Sequence, residues 1–226
     1  PASRDVGYAV AMRVYRYMAE MSLREPWLGW AIEIQSIAQN GLAYCTNAYD
    51  IERYERLRDI AAEMLSEKTG VPKERVKLLF CGEKGYQTPK IDTRAAIFSE
   101  GRILLVREND GRWSLPGGWC DVLESVASNT VKEVREEAGI TCEPLRIIAV
   151  QDRNRHNKPP YAYGVCKIFV LCRALGGAFE ENCETTAAEY FAPEELPPLA
   201  EEKCTAAQIT MCFAANSQPD MPTLFD

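Results

Sequence analysis

Apolar residues recur at helical spacing over the first third of the chain and in short extended runs over the rest. From Ala9 to about Phe80 the pattern is helical. Ile51, Tyr54, Leu57, Ile60, Ala61 and Leu65 fall three and four apart, one stripe on a helix that Asp50 is expected to cap and Gly70 with Pro72 to stop. Before it, Trp27 to Ala43 reads as a helix entered through Pro26 and closed by Gly41. A short helix after Pro72 is expected to turn Val76, Leu79 and Phe80 inward. Residues 85–90 are turn-like and form a natural linker, dividing a small all-helical domain (1–84) from a second domain (85–226).

Beyond the linker the period shortens. Ile91 to Phe98, Ile103 to Val106, Ile147 to Val150 and Val165 to Leu171 read as strands, with an Asp110-Gly111 turn after the second. One helix, from about Ser125 to Ala138, interrupts them and ends at Gly139. A last helical patch covers about Ala206 to Ala215. Strands and helices without regular alternation predict an α+β or α/β-sandwich domain in place of a doubly wound sheet.

Composition narrows the function classes. The 226 residues are 46% hydrophobic and 26% charged, ordinary for a globular chain. The net charge of -7 opposes a role in gripping nucleic acid. Basic and acidic groups balance over residues 1–80, at 11 each, so the whole excess lies beyond them. No run approaches the roughly 18–20 apolar residues that cross a bilayer, and no signal-peptide pattern opens the chain. It starts at Pro1 and not at methionine, which leaves a longer natural N-terminus open. Nine scattered cysteines without a C-x-x-C pair, and a single histidine, argue against a zinc site and for free thiols in a reducing cytoplasm. Tyr15, Met18, Trp27, Trp30, Tyr54 and Leu57 are more apolar bulk than about 80 residues bury alone. They are expected to pack on the second domain, on a second copy, or both, with a two-fold homodimer the expected assembly.

The chemistry concentrates between Leu115 and Ile140. At about 100° per residue, Glu133, Glu136 and Glu137 share one helix face, while Ala127, Val131, Val134 and Ala138 share another. Glu124, just before the helix, adds a fourth carboxylate. Like charges at this spacing repel, and only Lys132 and Arg135 stand near to relieve them. A hard divalent cation, Mg²⁺ first, is the natural compensation. A solvated acidic surface helix is the plain alternative. Gly117 and Gly118 permit a tight turn whose carbonyls can approach an ion.

The order of these residues resembles the Nudix box, G-x5-E-x7-R-E-U-x-E-E-x-G-U with U aliphatic. Gly118 supplies the first glycine and Glu124 follows five residues later. Seven more lead to Lys132, Glu133, Val134, Arg135, Glu136, Glu137, Ala138, Gly139 and Ile140. One position departs: lysine stands at 132 where the family has arginine. Segments GYQTPKIDTRAAIF, ILLVRE, GRWSLPGGW, DRNRHNKPPYAYGV and AEYFAPEELPPL are similar to a Nudix subfamily with a helical N-terminal extension. The resemblance implies an α/β/α sandwich with a mixed sheet, and a hydrolase of nucleoside diphosphates linked to a group X. It implies that Glu133, Glu136 and Glu137 bind Mg²⁺ or Mn²⁺ and carry the catalysis, with the Gly118 carbonyl as a further ligand. Glu124 would orient the loop and helix. Lysine cannot reproduce the two-pronged brace of the family arginine, but the charge is kept, so activity is expected to survive.

Weaker candidates lie outside the box. Arg94, Arg107, Arg153, Arg155 and Tyr161 are the nearest groups for substrate phosphates and sugar, with His156 and Lys158 in the same basic turn. An ordinary solvated loop is the alternative there. Glu184 would be the extra acid from outside the box. Trp113, Trp119 and Tyr161 either stack on a base or belong to the core, and Cys120 reads as a tolerated small residue. The expected substrate is an ADP-ribose-like or UDP/CDP-linked conjugate, cut to a nucleoside monophosphate and a phosphorylated X. The rivals are a silent nucleotide-sensing module and an enzyme cleaving nucleoside triphosphates.

Overall fold

The computed structural model describes residues 26–226, so the helix expected from Ala9, with Tyr15 and Met18, lies outside the described residues. Two units emerge. One takes the chain to Pro89 and recruits Pro159–Gly164; the other holds Lys90–Lys158 and Val165–Asp226.

In the first unit, α1 (Trp27–Tyr44), α2 (Ala48–Thr69) and α3 (Lys73–Phe80) follow one another. Gly41 does not close α1 but lies inside it, where a Cβ would overlap the Tyr54 ring of α2. The missing side chain lets two helices approach. Asp50 is not the cap of α2: the Asn47 side chain accepts from the Tyr49 and Asp50 N–H groups, at 2.9 and 3.4 Å, so the helix starts nearly a turn earlier. Gly70 ends it in the left-handed region at φ 68°, as expected. Trp27, Leu28, Ala31, Ala62, Leu65, Val76 and Cys81 form a buried cluster with Ala162. The linker is tied down: Gln39 donates to the Gly85 carbonyl, and the Gln87 N–H donates to Asn40.

The second unit is a mixed sheet between helices. Its strands are β1 (Lys90–Ser99), β2 (Arg102–Glu108), β3 (Trp113–Ser114), β4 (Ile140–Asp152), β5 (Val165–Gly177), β6 (Thr185–Phe191) and β7 (Leu224–Phe225), in the order β3-β2-β1-β5-β4-β7 with β6 beside β2. β1 pairs parallel with β5, Arg94 facing Phe169, and antiparallel with β2. Alternation along β1 and β2 feeds two cores. Ala96, Ile103 and Leu105 pack with Ile209, Cys212 and Ala215 of α6 (Ala206–Ser217). Ala95, Ile97, Leu104 and Val106 pack with Val134 and Ala138 of α4 (Val126–Ala138). Burial on both faces is why β1 runs apolar without alternation from Ala95 to Phe98. This is the α/β/α sandwich that the resemblance implied.

Several strands differ from expectation, among them the two-residue β7. β4 spans thirteen residues, not four, because bulges near Thr141, Pro144 and Ile147 break its alternation. β5 likewise continues past Leu171 to Gly177. β6 carries no strong period and its pairing with β2 is long-range. Among the described residues no helix is long and apolar enough to cross a membrane.

Candidate active site

The Leu115–Glu124 loop is held against β1 by main-chain bonds. Thr93 N–H donates to Gly118 O and Ala95 N–H to Pro116 O, each at 2.9 Å. Cys120 N–H donates to Ile91 O at 2.9 Å. The Gly118 carbonyl, expected toward the ion, thus has one lone pair committed to the strand. Gly117 adopts φ 141°, with the Thr93 carbonyl where a Cβ would be, so only glycine closes this approach. Asn129 clips loop to strand, accepting from Asp121 N–H at 3.2 Å and donating to Thr93 Oγ1 at 2.9 Å.

The helix α4 starts at a reciprocal cap between Ser125 and Ser128 and ends at Gly139, φ 67°. Its faces depart from the helical-wheel reading. Ala127 is exposed, while Asn129, Thr130, Val134 and Ala138 go inward. The three carboxylates also separate: Glu133 and Glu137 are 9% and 5% exposed, but the Glu136 side chain is 56% exposed. Glu137 Oε2 accepts from Gly117 N–H at 2.8 Å, locking helix to loop. Glu133 Oε2 lies against Gly118, where a Cβ would come within 2.7 Å. Burial raises both carboxyls, Glu137 up to about 7 despite Arg94 and the Gly117 N–H.

Lys132 reaches three carboxylates. Its ammonium lies 3.0 Å from Asp121, 3.4 Å from Glu133 and 3.3 Å from Glu136. Among the described residues no three acidic, histidine or cysteine side chains already converge into a metal cage. The donors nevertheless suit a hard divalent cation: they are carboxylate oxygens, burial leaves two of them short of compensating charge, and a cationic group already stands between Glu133 and Glu136.

Beneath the loop is a charge cluster that periodicity did not reveal. Arg94 is 4% exposed and donates to both oxygens of Asp92, at 2.8 and 3.1 Å, and to Leu115 O at 3.1 Å. The structure thereby corrects its assignment to substrate: the guanidinium is spent on holding the loop. Lys167, 1% exposed, donates to Lys203 O and lies 3.7 Å from Asp92. Asp92 is lowered, the attraction of Arg94 and Lys167 outweighing the opposing effect of burial. Two signals were present in the sequence: Asp92 and Arg94 alternate in an otherwise apolar strand, and Lys167 interrupts another.

Burial depresses Lys167 to about 8 from an ordinary 10.5. Between those values the unfolded chain holds the proton that the folded one has released, so folding stability gains as pH rises from 8 to 10.5. Relative to Lys167→Met, the wild type is expected to gain on the order of 2–3 kcal/mol over that window in urea unfolding. A flat difference across it would contradict the burial argument.

The remaining candidates scatter. Arg107 is exposed on β2. Arg153 is 1% exposed in the single turn Arg153–His156, α5, and donates to Glu202 O at 3.0 Å, so it supports structure and does not face substrate. Arg155 is exposed, 3.8 Å from Asp152, and His156 lies 2.5 Å from Asp226. Tyr161 belongs to the first unit, its ring 5.4 Å from that of Tyr163. Glu184 is exposed, in a loop docked on the end of α4: Asn182 donates to Glu136 O at 3.1 Å, and Thr185 Oγ1 to Glu137 O at 2.6 Å. Trp113 is core, edge-on to Phe191, while Trp119 is 45% exposed. All nine cysteines are free, with Cys120 half-buried.

Comparison with known proteins agrees with this geometry. A family model described as UDP-X-like, N-terminal oligomerisation domain matches residues 25–80, and the NUDIX domain model matches residues 88–210. YjhB of Bacillus subtilis (strain 168), provisionally named an ADP-ribose pyrophosphatase, is 44% identical over 207 residues, covering 91% of this chain and 100% of its own. The crystal structure of an ADP-ribose pyrophosphatase from Streptococcus suis 89-1591 is 52% identical, with a TM-score of 0.58, over 62% of this chain and 100% of that one. A UDP-X diphosphatase structure is 32% identical, with a TM-score of 0.59, over 88% of this chain and 98% of that one. A box carried on its loop and helix, inside a domain match that takes in more than half the chain, means that the protein belongs to the Nudix hydrolase family.

Proposed function

We propose that this protein hydrolyses the diphosphate linkage of a nucleoside diphosphate joined to a second group X, of the ADP-ribose or UDP-sugar kind, releasing a nucleoside monophosphate and phosphorylated X. One observation carries the reading: Glu133, Glu136 and Glu137 project from a helix locked by the Gly117–Glu137 bond to a glycine turn. Relatives named for ADP-ribose and for UDP-X support the conjugate class.

Nudix hydrolases use divalent metal. Here Glu133, Glu136 and Glu137 would hold Mg²⁺ or Mn²⁺, which when bound neutralises the diphosphate oxygens and acidifies a water. Gly117 keeps Glu137 Oε2 in place, and a carboxylate of this cluster would accept the proton of the attacking water. Arg94 and Asp92 hold the loop below it. Glu184 sits on the loop docked to the end of α4 and is proposed as the acid that assists from outside the box. Exposed Arg107 and Arg155 are the arginines left for substrate oxygens.

A screen of ADP-ribose, UDP-sugars, CDP-alcohols, NADH, dinucleoside polyphosphates and NTPs, with products weighed by mass spectrometry, tests the reading. Conjugates are expected to lead in kcat/KM. NTPs well ahead of every conjugate would overturn the substrate class and leave the family intact.

The helical region 1–84 is proposed as the oligomerising domain and 85–226 as the hydrolase domain, in a protein of the reducing cytoplasm. Trp30, Ile37 and Tyr44 recur every seventh residue along α1, and are 56%, 53% and 74% exposed, a seam for a second copy. Trp30→Glu with Ile37→Glu is expected to halve the mass seen by light scattering. An unchanged mass would remove α1 from the interface.

A further inference from the structure

We propose that Lys132 competes with a divalent cation for the Glu133 and Glu136 carboxylates. Its ammonium bridges the two carboxylates that would bind the ion, has Asp121 as an alternative partner, and so sets metal affinity. This rests on the reading above that Glu133 and Glu136 are ligands.

The ammonium lies between three carboxylates from two elements, Asp121 of the loop and Glu133 and Glu136 of α4. None of these contacts is strong by itself, since the Asp121 and Glu136 side chains are 62% and 56% exposed. Together they place a single compact positive charge between two carboxylates that would otherwise repel. A lysine suits this task in a way an arginine does not. Its head is a point charge on a four-carbon stem, free to move off as a unit, whereas a guanidinium fork is held by two bonds at once. The retreat is already built: Asp121 is the nearest of the three oxygen partners, at 3.0 Å. Its main chain is fixed by the Asn129 side chain, so Lys132 keeps a partner after leaving the other two.

The test is Mn²⁺ binding, followed by calorimetry and by the electron paramagnetic resonance of free ion, without substrate. Lys132→Met removes the competitor and is expected to tighten Kd about fivefold. Asp121→Asn removes the retreat and is expected to weaken it about threefold. Simple electrostatics predicts the same two signs, so the double variant decides. If Asp121 acts through Lys132, Asp121→Asn has almost no effect in the Lys132→Met background, whereas a general field effect persists undiminished. Circular dichroism checks folding, and Lys132→Gln replaces the methionine variant if that one does not fold. Additive effects, or a Lys132→Met protein that binds Mn²⁺ no more tightly than wild type, would overturn the proposal. Glu136→Gln separates the two levels: if it leaves Mn²⁺ affinity unchanged, the ligand reading itself fails.

Discussion

Glu136→Gln and Glu137→Gln are each expected to lower kcat about 100-fold or more while leaving the fold intact. Removing a preorganised charge from a site that stabilises transferring phosphoryl oxygens costs on that order. The two positions test different things. Glu136 is more than half exposed, so glutamine there removes charge with no packing consequence. Glu137 is buried and accepts from Gly117 N–H at 2.8 Å, and a glutamine carbonyl can still accept that bond. Loss of activity in Glu137→Gln therefore reports the missing charge and not a released loop. A chelator is expected to abolish hydrolysis, and Mg²⁺ or Mn²⁺ to restore it. Undiminished turnover in both variants would sink the mechanism.

The second large effect is on stability. Arg94→Met is expected to cost about 3–5 kcal/mol, because it leaves the Asp92 carboxylate buried without the two bonds that compensate it. Lys167, at 3.7 Å, is too far and too committed to Lys203 O to replace them. The loop should suffer too, since Leu115 O loses its donor one residue before Pro116 and two before the Gly117 turn. Adding Asp92→Asn to Arg94→Met should recover part of the loss, because the buried charge goes with its partner. Urea unfolding of the four proteins measures both quantities. A single Arg94→Met variant within about 1 kcal/mol of wild type would show that the cluster contributes little.

The same cluster explains why no arginine of the substrate set was separable by sequence. Arg94, Arg107, Arg153 and Arg155 look alike as letters. Two are buried in the domain, bound to Asp92 and Leu115 in one case and to Glu202 O in the other; two are exposed. What differs is the strand or loop that arrives opposite each one, and that is set by pairings such as β1 with β5, whose partners Arg94 and Phe169 are far apart in sequence.

Local physics alone determined much of this protein. The span of α4 follows from a serine cap, a 3.6-residue period and a glycine in the left-handed region, all within sixteen residues. The extent of β1, the start of α1 and the end of α2 are local in the same sense. So is the order of acids in the box, which is why the reaction class was legible before the fold. Tertiary structure decided how each acid is buried and paired. The wheel places Glu133, Glu136 and Glu137 together, but only the sheet beneath α4 and the Gly117–Gly118 turn bury the first and third and leave the second in solvent. The turn also spends one lone pair of the Gly118 carbonyl and gives Lys132 its three partners. β6 and its docking loop were illegible because their partners lie in β2 and at the end of α4, a long way back in the chain. Helical periods and caps are near-neighbour energies, readable from a few residues; burial and charge pairing are sums over whatever the fold brings near.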